Sequence, residues 1–133
     1  MITRETDYSM RLVVALAGKQ KNGIFSASSA EVAQEMDIPY RFLRKLVKRL
    51  VDGGLIESRR GKGGGMALAK APQTISLYDI LKLTGPRGVE LSLCTTDPKA
   101  CNRSALCTMQ REFSNIQTEV DKRLKKVSIA DLV

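Results

Sequence analysis

Histidine and tryptophan are absent from the 133 residues, and aromatic side chains make up only 5% of them. Without an imidazole, histidine-based acid–base catalysis, hydrolytic triads built on histidine and every metal site that needs a ring nitrogen are excluded. Long apolar runs are also missing. The longest, Leu12 to Ala17, is far shorter than the roughly 20 residues that span a bilayer. The N-terminal Thr3-Arg4-Glu5-Thr6-Asp7 offers no hydrophobic stretch followed by a small-residue cleavage site, so a cytoplasmic protein is expected, with no membrane partner. Acidic residues are the minority, 14 against 22 basic ones, for a net charge of +8. That balance favours a polyanionic partner such as nucleic acid.

Cysteine is scarce, but its three copies are gathered: Cys94, Cys101 and Cys107 fall within one short stretch. An odd number in a reducing compartment argues against a disulfide framework and leaves metal ligation, redox sensing or plain burial. Zinc fits poorly, because structural zinc sites space their cysteines two to four residues apart and these gaps are wider. No acid–base pair, activated nucleophile or nucleotide loop is visible, so an enzyme is not expected.

With 43% hydrophobic residues the chain can build one modest core. Apolar residues at helical spacing predict a first helix over about residues 6–20. Ser28 with Glu31 three residues later forms a capping box ahead of Val32, Ala33 and Met36, which predicts a short second helix. Asp37-Ile38 makes a turn. Pro39 suits the first position of a third helix, whose stripe of Phe42, Leu43, Leu46, Val47 and Leu50 runs up to Gly53-Gly54. Leu55 to Arg60 and Met66 to Ala69 read as two strands joined by the glycine-rich tip Gly61 to Gly65. Ser76 caps a further helix through about Leu83, and Gly85-Pro86-Arg87-Gly88 marks a boundary. From Leu106 the residues Met109, Phe113, Ile116, Val120, Leu124 and Val127 keep near-heptad spacing, so a long helix needs another helix to cover its stripe. The expected fold is mainly α with a small β-hairpin wing: a winged helix-turn-helix over residues 1–84, a cysteine-containing loop over 85–108, and a dimerisation helix with its tail over 109–133.

The charge is not spread evenly. Arg41 to Lys62 holds eight basic residues and two acidic ones, so +6 of the chain's +8 lies there. A recognition helix enters the major groove and needs hydrogen-bond donors on its exposed face. Burying the Phe42 to Leu50 stripe turns Arg41, Arg44, Lys45, Lys48 and Arg49 outward, the first three toward bases and the last two toward phosphates. Arg59, Arg60 and Lys62 sit beside Gly63 and Gly64, which leave room for close approach to the sugar-phosphate backbone or minor groove. A Lys/Arg-rich helix alone is as readily a solvated face, and glycines alone a hairpin turn. Their combination in this order points to double-stranded DNA.

Thr6-Asp7-Tyr8, the Ile38 to Leu50 helix, Arg60-Gly61-Lys62-Gly63-Gly64-Gly65, the three cysteines and the terminal Ser128-Ile129-Ala130-Asp131-Leu132-Val133 together resemble the Rrf-two (Rrf2) family of winged-helix transcriptional regulators. The resemblance covers essentially the whole chain. It implies a homodimer on a roughly palindromic operator, with Ser28 and Tyr40 joining the basic residues at the DNA, and an iron–sulfur cluster that alters DNA affinity. By the same resemblance Cys94, Cys101 and Cys107 are the thiolate ligands. Asp7, contributed by the opposite subunit, is the candidate fourth ligand, although it reads equally as an N-terminal helix cap. Two departures stand out: the first cysteine gap is six residues where the family's iron–sulfur pattern has five, and no histidine ligand is present. The missing histidine favours a [4Fe-4S] over a [2Fe-2S] cluster. A regulator of the same fold that has no cluster and is controlled by thiol oxidation or a partner protein is the alternative, followed by a non-specific nucleic-acid-binding protein.

Overall fold

A computed structural model describes residues 2–85 and 89–133. Helix α1 (Arg4–Lys21) opens where the Thr3 hydroxyl accepts from the Thr6 amide, and Thr6, Ser9, Leu12, Val13, Leu16 and Ala17 form its buried face. That face is wider than its apolar residues alone suggest, because the Ser9 hydroxyl is satisfied by the Glu5 carbonyl at 2.8 Å. Helix α2 (Ser29–Glu35) starts at the expected capping box of Ser28 and Glu31. Asp37, with φ of 52°, turns the chain between α2 and α3. Helix α3 (Tyr40–Asp52) begins one residue later than the sequence reading placed it, since Pro39 is its extended N-cap rather than its first helical residue.

Strands β1 (Ile56–Arg59) and β2 (Gly65–Leu68) pair antiparallel with Ile56 opposite Leu68 and Arg59 opposite Gly65. A single bridge between Ala27 and Met66 ties this hairpin to the segment before α2. The turn leans on two glycines. A Cβ on Gly64 would lie 2.4 Å from the Arg59 carbonyl oxygen, and Gly65 adopts φ of 152° against the Ala27 backbone. Helix α4 (Leu77–Thr84) follows a second capping box, Ser76 with Asp79. The turn expected at Gly85 to Gly88 lies largely outside the described residues. The cysteine segment, expected as a loop, contains the one-turn helix α5 (Leu93–Thr96) and two 3-10 turns, Pro98–Ala100 and Ser104–Leu106. Helix α6 (Thr108–Lys126) then runs to a final 3-10 turn, Ile129–Leu132, so Leu106 stands just outside the long helix.

One core joins these pieces. Leu12, Val13, Leu16, Leu43, Leu50, Ile56, Met66, Ile75 and Ile80 are buried in it together with Ile129 from the chain's last turn. The tail is fastened there by backbone bonds: Ile129 N–H donates to the Ile75 carbonyl at 2.8 Å, and Leu77 N–H donates to the Val127 carbonyl at 3.0 Å. No helix among the described residues is long and apolar enough to cross a membrane.

Candidate nucleic-acid interface and cysteine loop

Burying Leu43, Leu46 and Leu50 fixes the roll of α3, and the helical period then divides its polar residues between two flanks. Tyr40, Arg44 and Lys48 follow one another at four-residue spacing on the flank that faces the hairpin. There they line an open groove of about 770 Å³ whose far wall is Ser58, Arg59 and Arg60. Lys48 is held by Asp52 at 2.8 Å, an exposed i,i+4 pair that raises the lysine's pKa through the hydrogen bond. Arg59 makes only a long 3.9 Å contact with Glu57. Among the described residues, Arg44, Arg60, Lys62 and Arg41 have no carboxylate partner. Arg41 instead lies over the Phe42 ring at 4.9 Å, and Phe42 meets Tyr8 of α1 at 6.0 Å between ring centres. Lys62 and Gly63 are exposed at the hairpin tip beyond the groove.

The other flank of α3 departs from the sequence reading. Lys45 and Arg49 are turned toward α1, where one carboxylate takes both: Lys45 Nζ donates to Glu5 Oε1 at 2.7 Å and Arg49 Nη1 to Glu5 Oε2 at 2.9 Å. Arg49 also reaches the Thr84 carbonyl at 3.5 Å. The Lys45 hydrogen bond, with the neighbouring positive charges, holds the Glu5 carboxyl below the usual carboxylate range. The Ser28 hydroxyl is engaged within the expected α2 cap, accepting from the Glu31 amide and donating to the Glu31 carboxylate. Nothing in the local sequence marks Glu5 as a partner of α3, since forty residues separate it from Lys45.

Asp7 is not a helix cap. Thr3 fills that position, and Asp7 sits inside the first turns of α1 with its carboxylate 2.8 Å from Arg11. Arg11 in turn donates to the Met36 carbonyl at the end of α2, at 3.2 Å.

All three cysteines are free thiols, Cys94 and Cys107 half-buried and Cys101 exposed. Cys94 Sγ lies 3.3 Å from Ser92 Oγ, and Cys107 precedes the first turn of α6. By chemistry the set suits an iron–sulfur cluster, with three thiols on one segment outside the core and a carboxylate elsewhere. By position it is not assembled within one chain: among the described residues no three His, Cys, Asp or Glu side chains converge on a common point. Two glutamines that the apolar periodicity could not reveal hold the segment to α6. Gln110 donates to the Cys94 carbonyl at 3.2 Å; the buried Gln117 donates to the Val89 carbonyl at 2.6 Å and accepts from the Leu91 amide at 2.9 Å. On α6 itself Met109, Phe113 and Ile116 remain exposed, as does Leu106 before it.

A short helix, a turn, a second helix with a buried stripe and free arginines, and a basic hairpin beside it define a winged helix-turn-helix protein. Residues 2–133 match the Rrf2 family, described as an iron-dependent transcriptional regulator. The chain belongs to that family. It is 32% identical to the HTH-type transcriptional regulator NsrR of Halalkalibacterium halodurans over 133 residues, covering 99% of this chain and 89% of the relative. The NsrR of Shouchella clausii is 31% identical, with 99% and 87% covered. Among solved structures, T. potens IscR has the same fold, with a TM-score of 0.78 at 19% identity over 99% of this chain and 85% of that one. Staphylococcus aureus CymR superposes with a TM-score of 0.72 at 26% identity, covering 98% and 95%. These relatives are transcriptional regulators, and the protein is accordingly a regulator rather than an enzyme.

Proposed function

We propose that the protein is a cytoplasmic, homodimeric regulator that binds a specific operator through α3 and the hairpin, with the cysteine segment setting its affinity. The observation that carries this is the groove between Tyr40, Arg44 and Lys48 on one side and Ser58, Arg59 and Arg60 on the other. It presents cations from two elements to one duplex, bases to the helix and backbone to the hairpin. Arg41 and Lys62 extend the surface at either end, and Gly63 and Gly64 keep the tip narrow enough to approach sugar and phosphate. The uncovered Met109, Phe113 and Ile116 of α6 suit a second copy of the chain, which would set two recognition helices on a two-fold operator.

In this reading Cys94, Cys101 and Cys107 hold an iron–sulfur cluster, [4Fe-4S] in preference to [2Fe-2S], with Asp7 of the partner subunit as the fourth ligand. When bound, such a cluster supplies a site that oxygen, nitric oxide or iron shortage can take apart. The chain's own residues make the response local: the segment lies outside the core, while Gln110 and Gln117 tie it to α6. A second reading, a cluster-free thiol switch, is favoured by the free and partly exposed thiols and by the lack of a preassembled donor set among the described residues. Staphylococcus aureus CymR, similar in fold at 25% identity, has been solved in an oxidized form.

Anaerobic protein decides between them. Iron and acid-labile sulfide bound in ratio to the chain, with operator footprints that differ between loaded and stripped protein, and loss of both the iron and that difference in C94A, C101A or C107A, support the cluster. Protein that takes up no iron yet changes its footprint on oxidation supports the switch. A footprint on no sequence refutes both.

A further inference from the structure

Of the five cations on the recognition helix, the two on the α1 flank already share one carboxylate. Glu5 places one carboxylate oxygen on Lys45 at 2.7 Å and the other on Arg49 at 2.9 Å, as a phosphate would engage two cations at once. The contact is not a buried structural bridge. The Lys45 side chain is 56% exposed and that of Arg49 39%, so both are open to solvent on this flank. Glu5 itself is held at the start of α1 by the Thr3 cap, and the neighbouring Ser9 hydroxyl is bonded to its carbonyl, so the carboxylate is presented from a fixed backbone.

We propose that Glu5 acts as an intramolecular stand-in for a DNA phosphate: it withholds Lys45 and Arg49 from the duplex and so restrains the sequence-independent part of binding. This inference rests on the DNA-binding reading above. It divides α3 into a reading flank, Tyr40 and Arg44 followed by Lys48 with its own Asp52 partner, and a flank restrained by Glu5. The consequence is discrimination. Phosphate contacts add affinity for every sequence alike, whereas base contacts add it only for the operator, so two cations kept from the backbone widen the gap between specific and non-specific sites.

The test is the salt dependence of full-length protein on random-sequence duplex DNA, with wild type, E5Q and the triple variant E5Q/K45Q/R49Q compared at matched redox state. Each phosphate newly contacted steepens the plot of log affinity against log salt by about 0.9. E5Q is expected to add about 1.8, which between 50 and 200 mM salt amounts to roughly a tenfold larger loss of affinity. The triple variant should return to the wild-type slope, and E5D, which keeps the charge, should stay close to it. E5A serves in place of E5Q should the latter not fold by circular dichroism. An unchanged or shallower slope in folded E5Q or E5A overturns the inference alone. Wild-type protein with no salt-dependent binding to any duplex overturns the DNA-binding reading with it.

Discussion

Replacing Ile129 by alanine tests whether the last turn of the chain is part of the core or an appendage. The side chain is fully buried, beside Ile75 whose carbonyl bonds the Ile129 amide. Removing three carbons from such a site costs about 2 to 5 kcal/mol, through lost apolar transfer and the cavity left behind. The upper half of that range applies, because backbone bonds from Ile129 to Ile75 and from Leu77 to Val127 pin both walls and limit collapse. At this chain length each kcal/mol lowers the melting temperature by about 4 °C, so a drop of about 14 to 20 °C is expected. Thermal unfolding followed by circular dichroism is the assay, with Ile116→Ala as control. Ile116 is 48% exposed on α6, and its truncation should cost no more than about 0.5 kcal/mol in the monomer while weakening self-association. A loss below about 2 °C in Ile129→Ala would refute the claim that the tail closes the core.

Gly64→Ala drives a methyl group to 2.4 Å from the Arg59 carbonyl, so the hairpin tip must open; operator affinity should fall at least tenfold in a shift assay while far-ultraviolet dichroism stays unchanged. Arg44→Ala should cost about 1 to 3 kcal/mol of operator binding and relax the footprint at one position, whereas Lys62→Ala should weaken all sequences alike and reduce the salt slope by about 1. Acid should destabilise the fold by a defined route. The carboxyls of Glu5, Glu31 and Asp131 have lowered pKa values in the folded state, from the Lys45 bond in the first, the Ser28 backbone in the second and the Ser128 hydroxyl in the third. Stability from a lowered carboxylate pKa is complete above the unfolded value and is lost as pH falls through the folded one. Melting temperatures should therefore hold from pH 7 to about 5 and decline below the ordinary carboxylate values of 3.8 to 4.5; a combined E5Q, E31Q and D131N variant whose acid limb is as steep as that of wild type would contradict this assignment.

Much of the helix-turn-helix was legible because its signals are local. Ser28 and Glu31 announced α2, Ser76 announced α4, and the three-and-four spacing of Leu43, Leu46 and Leu50 announced α3 and its buried face. The paired strands followed from β-formers on either side of a glycine run. Interior details drifted by a residue where two rules compete, as at Pro39, which suits the first helical position and the cap alike. The cysteine segment was read as loop because its helical turns are too short to show a period.

The sequence by itself determined the longer helices and the hairpin, the concentration of positive charge on α3 and the hairpin, and the gathering of three thiols in one segment. All of these depend on residues a few positions apart, within reach of helical period, capping and turn chemistry. Only the tertiary structure decided that Glu5 takes Lys45 and Arg49, that Arg11 links Asp7 to the end of α2, that Gln117 anchors the cysteine segment, and that Ile129 completes the core. Each of those contacts, apart from the Asp7 pair, joins residues more than twenty positions apart. Which long-range pairs meet is fixed when amphipathic faces pack around one core, and no local pattern carries that information.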